Sequence, residues 1–139
     1  MAMTPSQIQQ FVTDLYAATG AGDWDKAASM VTDDFFITEA DPLPMAGVYT
    51  GRHALRDLFI KVMGMMDVAG LDIVETTVGG DYAVTILSFR FVDPALQPAH
   101  LCEMFRFRGD KLCEIKPYYF DPAHIIAACE AKALSEKVR

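Results

Sequence analysis

Residues 100–120 read HLCEMFRFRGDKLCEIKPYYF. Two runs rich in aromatic and aliphatic residues meet at Arg108-Gly109-Asp110-Lys111, a composition suited to a tight hairpin joint. The pattern predicts strands over His100–Arg108 and Leu112–Phe120. Alternate residues of a strand share a face. Leu101, Glu103, Phe105 and Phe107 therefore point one way, and Cys102, Met104, Arg106 and Arg108 the other. Pairing Phe107 with Leu112 places Cys102 opposite Pro117. On the first of these faces Glu103 is a lone carboxylate between Leu and Phe.

Working outward, two more strands are predicted upstream, over Leu71–Val78 and Tyr82–Val92. The joints are Gly79-Gly80-Asp81 and the stretch from Asp93-Pro94 to Pro98. Two of the three joints have hairpin length, so the sheet is expected to be antiparallel. Toward the N-terminus, Thr4-Pro5 caps a helix with apolar residues at Ile8, Phe11, Val12, Leu15 and Tyr16, a 3–4 spacing. Gly20 and Gly22 break it, and Asp23 caps a short second helix with Trp24, Ala27, Ala28 and Val31. Phe35-Phe36-Ile37-Thr38 reads as a strand, ended by Asp41, Pro42 and Pro44. Thr50-Gly51 opens a third helix carrying Leu55, Leu58, Phe59, Val62, Met63 and Met66. Asp121-Pro122 starts a last helix with Ile125, Ile126, Cys129 and Leu134. Helices come first and strands after, which is an α+β order. A long helix over a curved antiparallel sheet encloses a cone. The whole chain, 1–139, reads as one domain, with no repeat and no linker.

The composition narrows the function. The chain has 139 residues, 52% hydrophobic and 22% charged, with a formal net charge of −7. Such a chain buries about two-thirds of its surface and needs no staple. Its acidity argues against nucleic acid, which requires a concentrated positive face. The one basic cluster, Arg106, Arg108 and Lys111, reads as a solvated turn. No apolar run reaches the roughly 20 residues of a membrane helix, and the start has no basic region followed by an apolar one. A cytoplasmic protein is expected. Cys102, Cys113 and Cys129 form no CxxC pair and read as reduced, buried thiols. His53, His100 and His124 lie on three different elements without metal spacing, so no metal and no cofactor are expected.

Five motifs follow one another along the chain: Tyr16 followed by Gly22-Asp23-Trp24-Asp25, Thr32-Asp33-Asp34 before a strand, Tyr49-Thr50-Gly51-Arg52-His53-Ala54-Leu55, Glu103-Met104-Phe105-Arg106-Phe107, and Gly109-Asp110-Lys111-Leu112. In this order they resemble the ketosteroid-isomerase and SnoaL-like members of the nuclear-transport-factor-2-like superfamily. The resemblance spans nearly the whole chain. It implies a cone-shaped curved antiparallel sheet wrapped on N-terminal helices around an apolar pocket. It does not fix a reaction, because this fold hosts isomerases, dehydratases, epoxide hydrolases, cyclases and binding modules.

In the isomerases of that superfamily, a carboxylate at the end of the first strand is the general base. A protonated carboxyl and a helix-one tyrosine donate to the enolate oxygen. The resemblance carries the base to Glu39, counting without gaps from Asp23, or to Asp41 after a two-residue slip, with Pro42 matching the family's Asp-Pro. Strand alternation points Phe35, Ile37, Glu39 and Asp41 the same way. The alternatives are that Asp41 caps the Pro-rich loop and that Glu39 reaches solvent at the rim. Aligning on Arg106-Phe107 places Glu103 at the oxyanion-donor position, with Tyr16 beside it. Burial there should raise the Glu103 pKa. The alternative is a structural ion pair with Arg90 or Arg52. The family has Asp where this chain has Glu103, which counts against steroid isomerisation itself. Phe59, Met63, Phe105 and Tyr119 are the candidate substrate-binding residues; Met63 also reads as core filling and Trp24 as packing.

The reading that follows is an isomerase- or lyase-type enzyme using pocket carboxylates for acid–base chemistry on a small apolar ligand. The competing reading is a noncatalytic ligand-binding or interaction module of the same fold. An epoxide hydrolase, which the resemblance implies would need an inward Arg between two Asp residues, is disfavoured because Arg106 and Arg108 face outward. A homodimer is expected, because Ile86, Cys102 and Met104 make the outer sheet face too apolar to be wholly solvated.

Overall fold

A computed structural model describes residues 2–138. Helix α1 (Pro5–Gly20) starts at a capping box. The Thr4 side chain accepts from the Gln7 amide, and the Gln7 side chain accepts from the Thr4 amide. Its buried stripe is Ile8, Val12, Leu15 and Ala18. The chain turns at Gly22, and the Asp23 carboxylate caps α2 (Trp24–Ser29) by accepting from the Lys26 amide. Strand β1 (Val31–Glu39) follows, then a loop, then the short strand β2 (Gly47–Thr50) and helix α3 (Ala54–Met65). Four long strands complete the sheet: β3 (Val68–Gly79), β4 (Tyr82–Phe91), β5 (Ala99–Arg108) and β6 (Lys111–Tyr119). Helix α4 (Ala123–Lys137) comes last.

The six strands form one sheet in the order β2-β1-β6-β5-β4-β3. All neighbours are antiparallel except β1 and β6, which run parallel. That pair brings the C-terminal ends of β1 and β6 to the same end of the sheet, beside the start of α4. The hairpin turns at Gly80-Asp81 and Gly109-Asp110 each begin with a glycine at positive φ, 56° and 64°. Their aspartates keep negative φ, the arrangement that suits the right-handed twist of a two-residue hairpin. Register shifts in β3 and in the β5–β6 pair mark bulges, which bend a sheet.

Two details correct the sequence reading. Residues 47–50 form an edge strand, and α3 begins only at Ala54. The second concerns register. Phe107 does pair with Leu112, but a bulge at Cys113 then shifts the ladder by one, so Cys102 faces Tyr118 and Glu103 faces Pro117. The Cys113 thiol is accommodated by donating to the Arg106 carbonyl.

The core fills the concave side of the sheet. Phe35, Ile37, Phe105, Phe107, Leu112 and Ile115 meet Ile8, Val12 and Leu15 of α1, together with Leu58 and Val62 of α3. Ile125 of α4 is fully buried against the same cluster. The convex side carries ion pairs: Arg106 holds Glu114 at 2.9 Å, Arg108 holds Asp34 at 3.1 Å, and Arg90 holds Asp72 at 3.2 Å. Among the described residues no helix is long and apolar enough to cross a membrane.

Candidate functional site

Inside the cone, alternation on β5 turns Leu101, Glu103, Phe105 and Phe107 inward. Leu101, Phe105 and Phe107 are buried and Glu103 is partly buried. Across the core, Tyr16 projects from α1, and its hydroxyl donates to Oε1 of Glu103 at 2.6 Å. Phe105 supports the tyrosine edge-on, with ring centroids 6.0 Å apart. The expected alternative partners of Glu103 are engaged elsewhere. Arg90 pairs with Asp72, and Arg52 lies 3.8 Å from Asp33. Among the described residues no basic side chain forms an ion pair with Glu103. Burial therefore raises its pKa, and the Tyr16 hydrogen bond only partly opposes the rise. The Tyr16 hydroxyl is itself pushed far above the ordinary tyrosine value. Burial is the main cause, followed by the charge and hydrogen bond of Glu103.

Glu39 closes β1 and is 4% exposed, in line with Phe35 and Ile37, so the strand alternation holds to its last residue. Its Oε1 is buried with no hydrogen-bond partner. Burial first, and the neighbouring Glu103 second, push its pKa from 4.5 to about 8. Two acidic groups that raise one another's ionisation cost titrate as a pair. Tyr119, on the inner face of β6, completes the cluster. Its pKa is raised well above the usual value by burial, then by the charges of Glu39 and Glu103. Its ring leans on Phe89, 6.3 Å away.

Asp41 behaves differently. β1 stops at Glu39, the chain turns through Ala40–Leu43, and Asp41 is exposed. It borders a cavity of about 340 Å³ at the C-terminal ends of β1 and β6, with Leu43, Lys116, Pro117, Tyr119 and Pro122. Pro117 is the cross-strand partner of Glu103, so this cavity reaches the row on which the carboxyl sits. A larger concavity of about 750 Å³ lies on the outer sheet face, lined by Val74, Ile86, Cys102, Tyr118 and Phe120 among others. Neither cavity is lined by Glu39 or Glu103.

Of the expected substrate contacts, Phe105 and Tyr119 lie at the cluster. Phe59 instead packs on Trp24, with centroids 5.1 Å apart. Met63 packs against the core, and its carbonyl accepts from Lys132 of α4 at 3.1 Å. One residue was not singled out in the sequence. Thr85, fully buried on β4, stands directly opposite Glu103, and its hydroxyl lies 2.9 Å from that of Thr76 on β3. Its only sequence signal is a hydroxyl on the inward face between Ala83 and Leu87. Among the described residues no group of three or more His, Cys, Asp or Glu side chains is placed to hold a metal.

The arrangement has definite chemical capacity. A buried carboxyl that accepts one hydrogen bond and keeps its own proton can donate that proton to a developing oxyanion. A second carboxyl with a pKa near neutrality can take a proton from carbon. Both stand in an apolar surround where such interactions are strong.

Comparisons with known proteins agree with this architecture. The family model for the SnoaL-like domain matches residues 12–115. A search of curated proteins finds no match. Among solved structures, an NTF2-like protein from Burkholderia xenovorans LB400 superposes with a TM-score of 0.72 at 21% identity, covering 92% of this chain and 99% of that one. A putative polyketide cyclase from Sinorhizobium meliloti gives a TM-score of 0.64 at 16% identity, covering 78% and 93%. TerC co-crystallized with polyporic acid gives 0.71 at 13% identity, covering 89% and 98%. At these identities the likeness carries the fold, while the family match covers three-quarters of the sequence. The chain is a SnoaL-like member of the NTF2-like superfamily.

Proposed function

We propose that this protein is a small-molecule isomerase-, lyase- or cyclase-type enzyme acting on an apolar carbonyl compound. In this reading Glu39 is the general base. Protonated Glu103, held by Tyr16, stabilises the oxyanion formed when a proton leaves the carbon next to the carbonyl. The observation that carries the reading is the 2.6 Å hydrogen bond from Tyr16 to Glu103 beside a buried Glu39 whose Oε1 has no partner. A buried carboxyl with an unpartnered oxygen is costly, and placing it beside a second carboxyl in one apolar site is hard to explain by packing. The step balances simply. Glu39 takes the proton, the electron pair moves to the carbonyl oxygen, and the Glu103 O–H hydrogen-bonds that oxygen. Return of the proton at a second carbon gives isomerisation, and attack of the carbanion on a second carbonyl gives cyclisation. The cyclase named among the structural neighbours supports the substrate class.

A turnover screen over apolar ketones and polyketide-like carbonyl compounds tests the proposal. Glu39→Gln should lower kcat about 10²- to 10⁴-fold, and Glu103→Leu about 10²- to 10³-fold. Asp41→Asn should leave it unchanged. Equal rates in all variants would rule the mechanism out.

A noncatalytic binding module is the second reading. It is favoured by the position of the two cavities, neither of which is lined by the carboxyls. In either reading the chain acts as a homodimer. The outer face presents Val74, Ile86, Tyr118 and Phe120 around one concavity, and all four are exposed. A second copy would bury them.

A further inference from the structure

Pro117 stands in an interior strand. β6 lies between β1 and β5, and a proline there removes a ladder donor, which is why sheets confine proline mostly to their edges. Two backbone bonds show which neighbour loses it. The Phe120 N–H donates to the His100 carbonyl at 2.9 Å, so even-numbered residues at this end of β6 face β5, and the nitrogens of Ile115, Pro117 and Tyr119 face β1. The Gly51 N–H donates to the Phe35 carbonyl at 2.7 Å, so odd-numbered residues of β1 face β2, and the carbonyls of Phe36 and Thr38 face β6. A regular parallel ladder continuing the match of Ile37 with Ile115 would next run a bond from residue 117 to the Thr38 carbonyl. Proline has no N–H, and the β1–β6 register ends at that match. β1 nevertheless stays paired with β2 to Glu39, and β6 with β5 to Tyr119. The following bond would join the Tyr119 N–H to the Ala40 carbonyl, but Ala40 has left the strand and its carbonyl accepts from the Leu43 N–H at 3.0 Å.

Pro117 thus opens a seam in the sheet, and the cavity of about 340 Å³ lies along it. Residues of both parities line it, Lys116 and Tyr118 together with Pro117 and Tyr119, so the opening reaches both faces of β6. The Thr38 carbonyl and the Tyr119 N–H face the seam without the partners a regular ladder would give them. They form an acceptor on one side and a donor on the other, offset by two strand residues, about 6–7 Å. Leu43 and Pro122 add apolar walls, and the volume falls in the range of small-molecule sites, about 300–1,000 Å³. The acidic pair flanks the opening: Glu39 lies between Thr38 and Ala40, and Glu103 is the cross-strand partner of Pro117. We propose that this seam is a ligand subsite for a hydroxyaryl ketone, whose hydroxyl donates to the Thr38 carbonyl and whose carbonyl accepts from the Tyr119 N–H. A rigid apolar ring with these groups at opposite ends matches the offset. That the bound compound is the substrate rests on the function proposed above; the opening of the seam and binding in it do not.

The test is isothermal titration with 6-hydroxy-1-tetralone, which carries a hydroxyl and a carbonyl at opposite ends of a rigid ring system. Saturable binding is expected, with a downfield shift of the Tyr119 amide proton in NMR as its hydrogen bond forms. The 6-methoxy analogue has no proton to give Thr38 and should bind roughly three- to tenfold more weakly. Pro117→Ala supplies the missing N–H and lets the strands close on the Thr38 carbonyl. Binding should then fall at least tenfold, and the new amide at position 117 should be protected from hydrogen exchange. Ala40→Trp, at an exposed position lining the cavity, should fill it and cause the same loss; it decides the matter if Pro117→Ala does not fold. No binding by the wild type, equal affinity for the methoxy analogue, or an unchanged dissociation constant in the folded variants would overturn the proposal. The readout is binding and not turnover, so its failure is distinct from a failure of the Glu39 and Glu103 experiments.

Discussion

Glu39→Gln offers a quantitative prediction because one group dominates it. The wild-type carboxyl has a folded pKa of about 8 against 4.5 when free in solution. The sign follows from linkage. A folded pKa above the unfolded one means the native state binds the proton more tightly, so the stabilisation is complete below pH 4.5. It is lost as the pH rises toward about 8 and is flat beyond. With about 1.36 kcal/mol for each tenfold change in proton activity, the loss amounts to roughly 3 kcal/mol at pH 7 and about 5 kcal/mol above pH 8. Glutamine stays neutral throughout and escapes this loss. Burying its amide without partners costs about 1–3 kcal/mol, but that cost is the same at every pH. The difference between variant and wild type should therefore change by several kcal/mol between pH 4.5 and 9, in favour of the variant at high pH. Urea unfolding followed by the fluorescence of Trp24, the only tryptophan, measures it. Protein concentration must be held fixed, since the proposed dimer would contribute to apparent stability. Parallel stability curves across that pH range would refute the burial of Glu39 as an unpaired acid.

Other perturbations separate packing, hydrogen bonding and assembly. Tyr16→Phe should raise the Glu103 pKa further, because the lost hydrogen bond lowers it, and should cost about 1–3 kcal/mol; NMR titration and chemical denaturation read the two effects. Phe35→Ala empties a fully buried site in the core and should destabilise by about 3–5 kcal/mol by calorimetry. Ile86→Lys places a charge in the outer concavity. It should convert a dimer to a monomer in sedimentation at micromolar concentration without changing the far-ultraviolet spectrum. A wild-type monomer would contradict the proposed assembly.

How much of this could be read in the sequence depends on how local each cause is. The inward set Leu101, Glu103, Phe105 and Phe107 follows from strand alternation, and the structure keeps it. The same period applied to β1 gives Glu39 correctly but cannot say where the strand ends. Parity would also turn Asp41 inward, yet the chain leaves the sheet after Glu39 and turns, so Asp41 stays at the surface. Strand β2 was invisible because its four residues form an exposed edge held only by β1, with Val48 63% exposed and no buried face to impose a pattern. The bulge at Cys113 shifts one ladder by a residue without any glycine or proline to announce it. Thr85 gains its place from two strand registers, which set Thr76 on one side of it and Glu103 on the other, a coincidence no short stretch of sequence encodes.

The central claim is that Glu103 and Tyr16 form an oxyanion site inside the sheet. Binding of an apolar phenol such as 2-naphthol, whose oxygen mimics a developing enolate, tests it most directly. Isothermal titration should give saturable binding to the wild type. Glu103→Leu and Tyr16→Phe should each weaken it at least tenfold, the loss of about 1.4 kcal/mol or more expected for a donor to a partly charged oxygen. Asp41→Asn should leave it unchanged. The same dissociation constant in all four proteins would contradict the account.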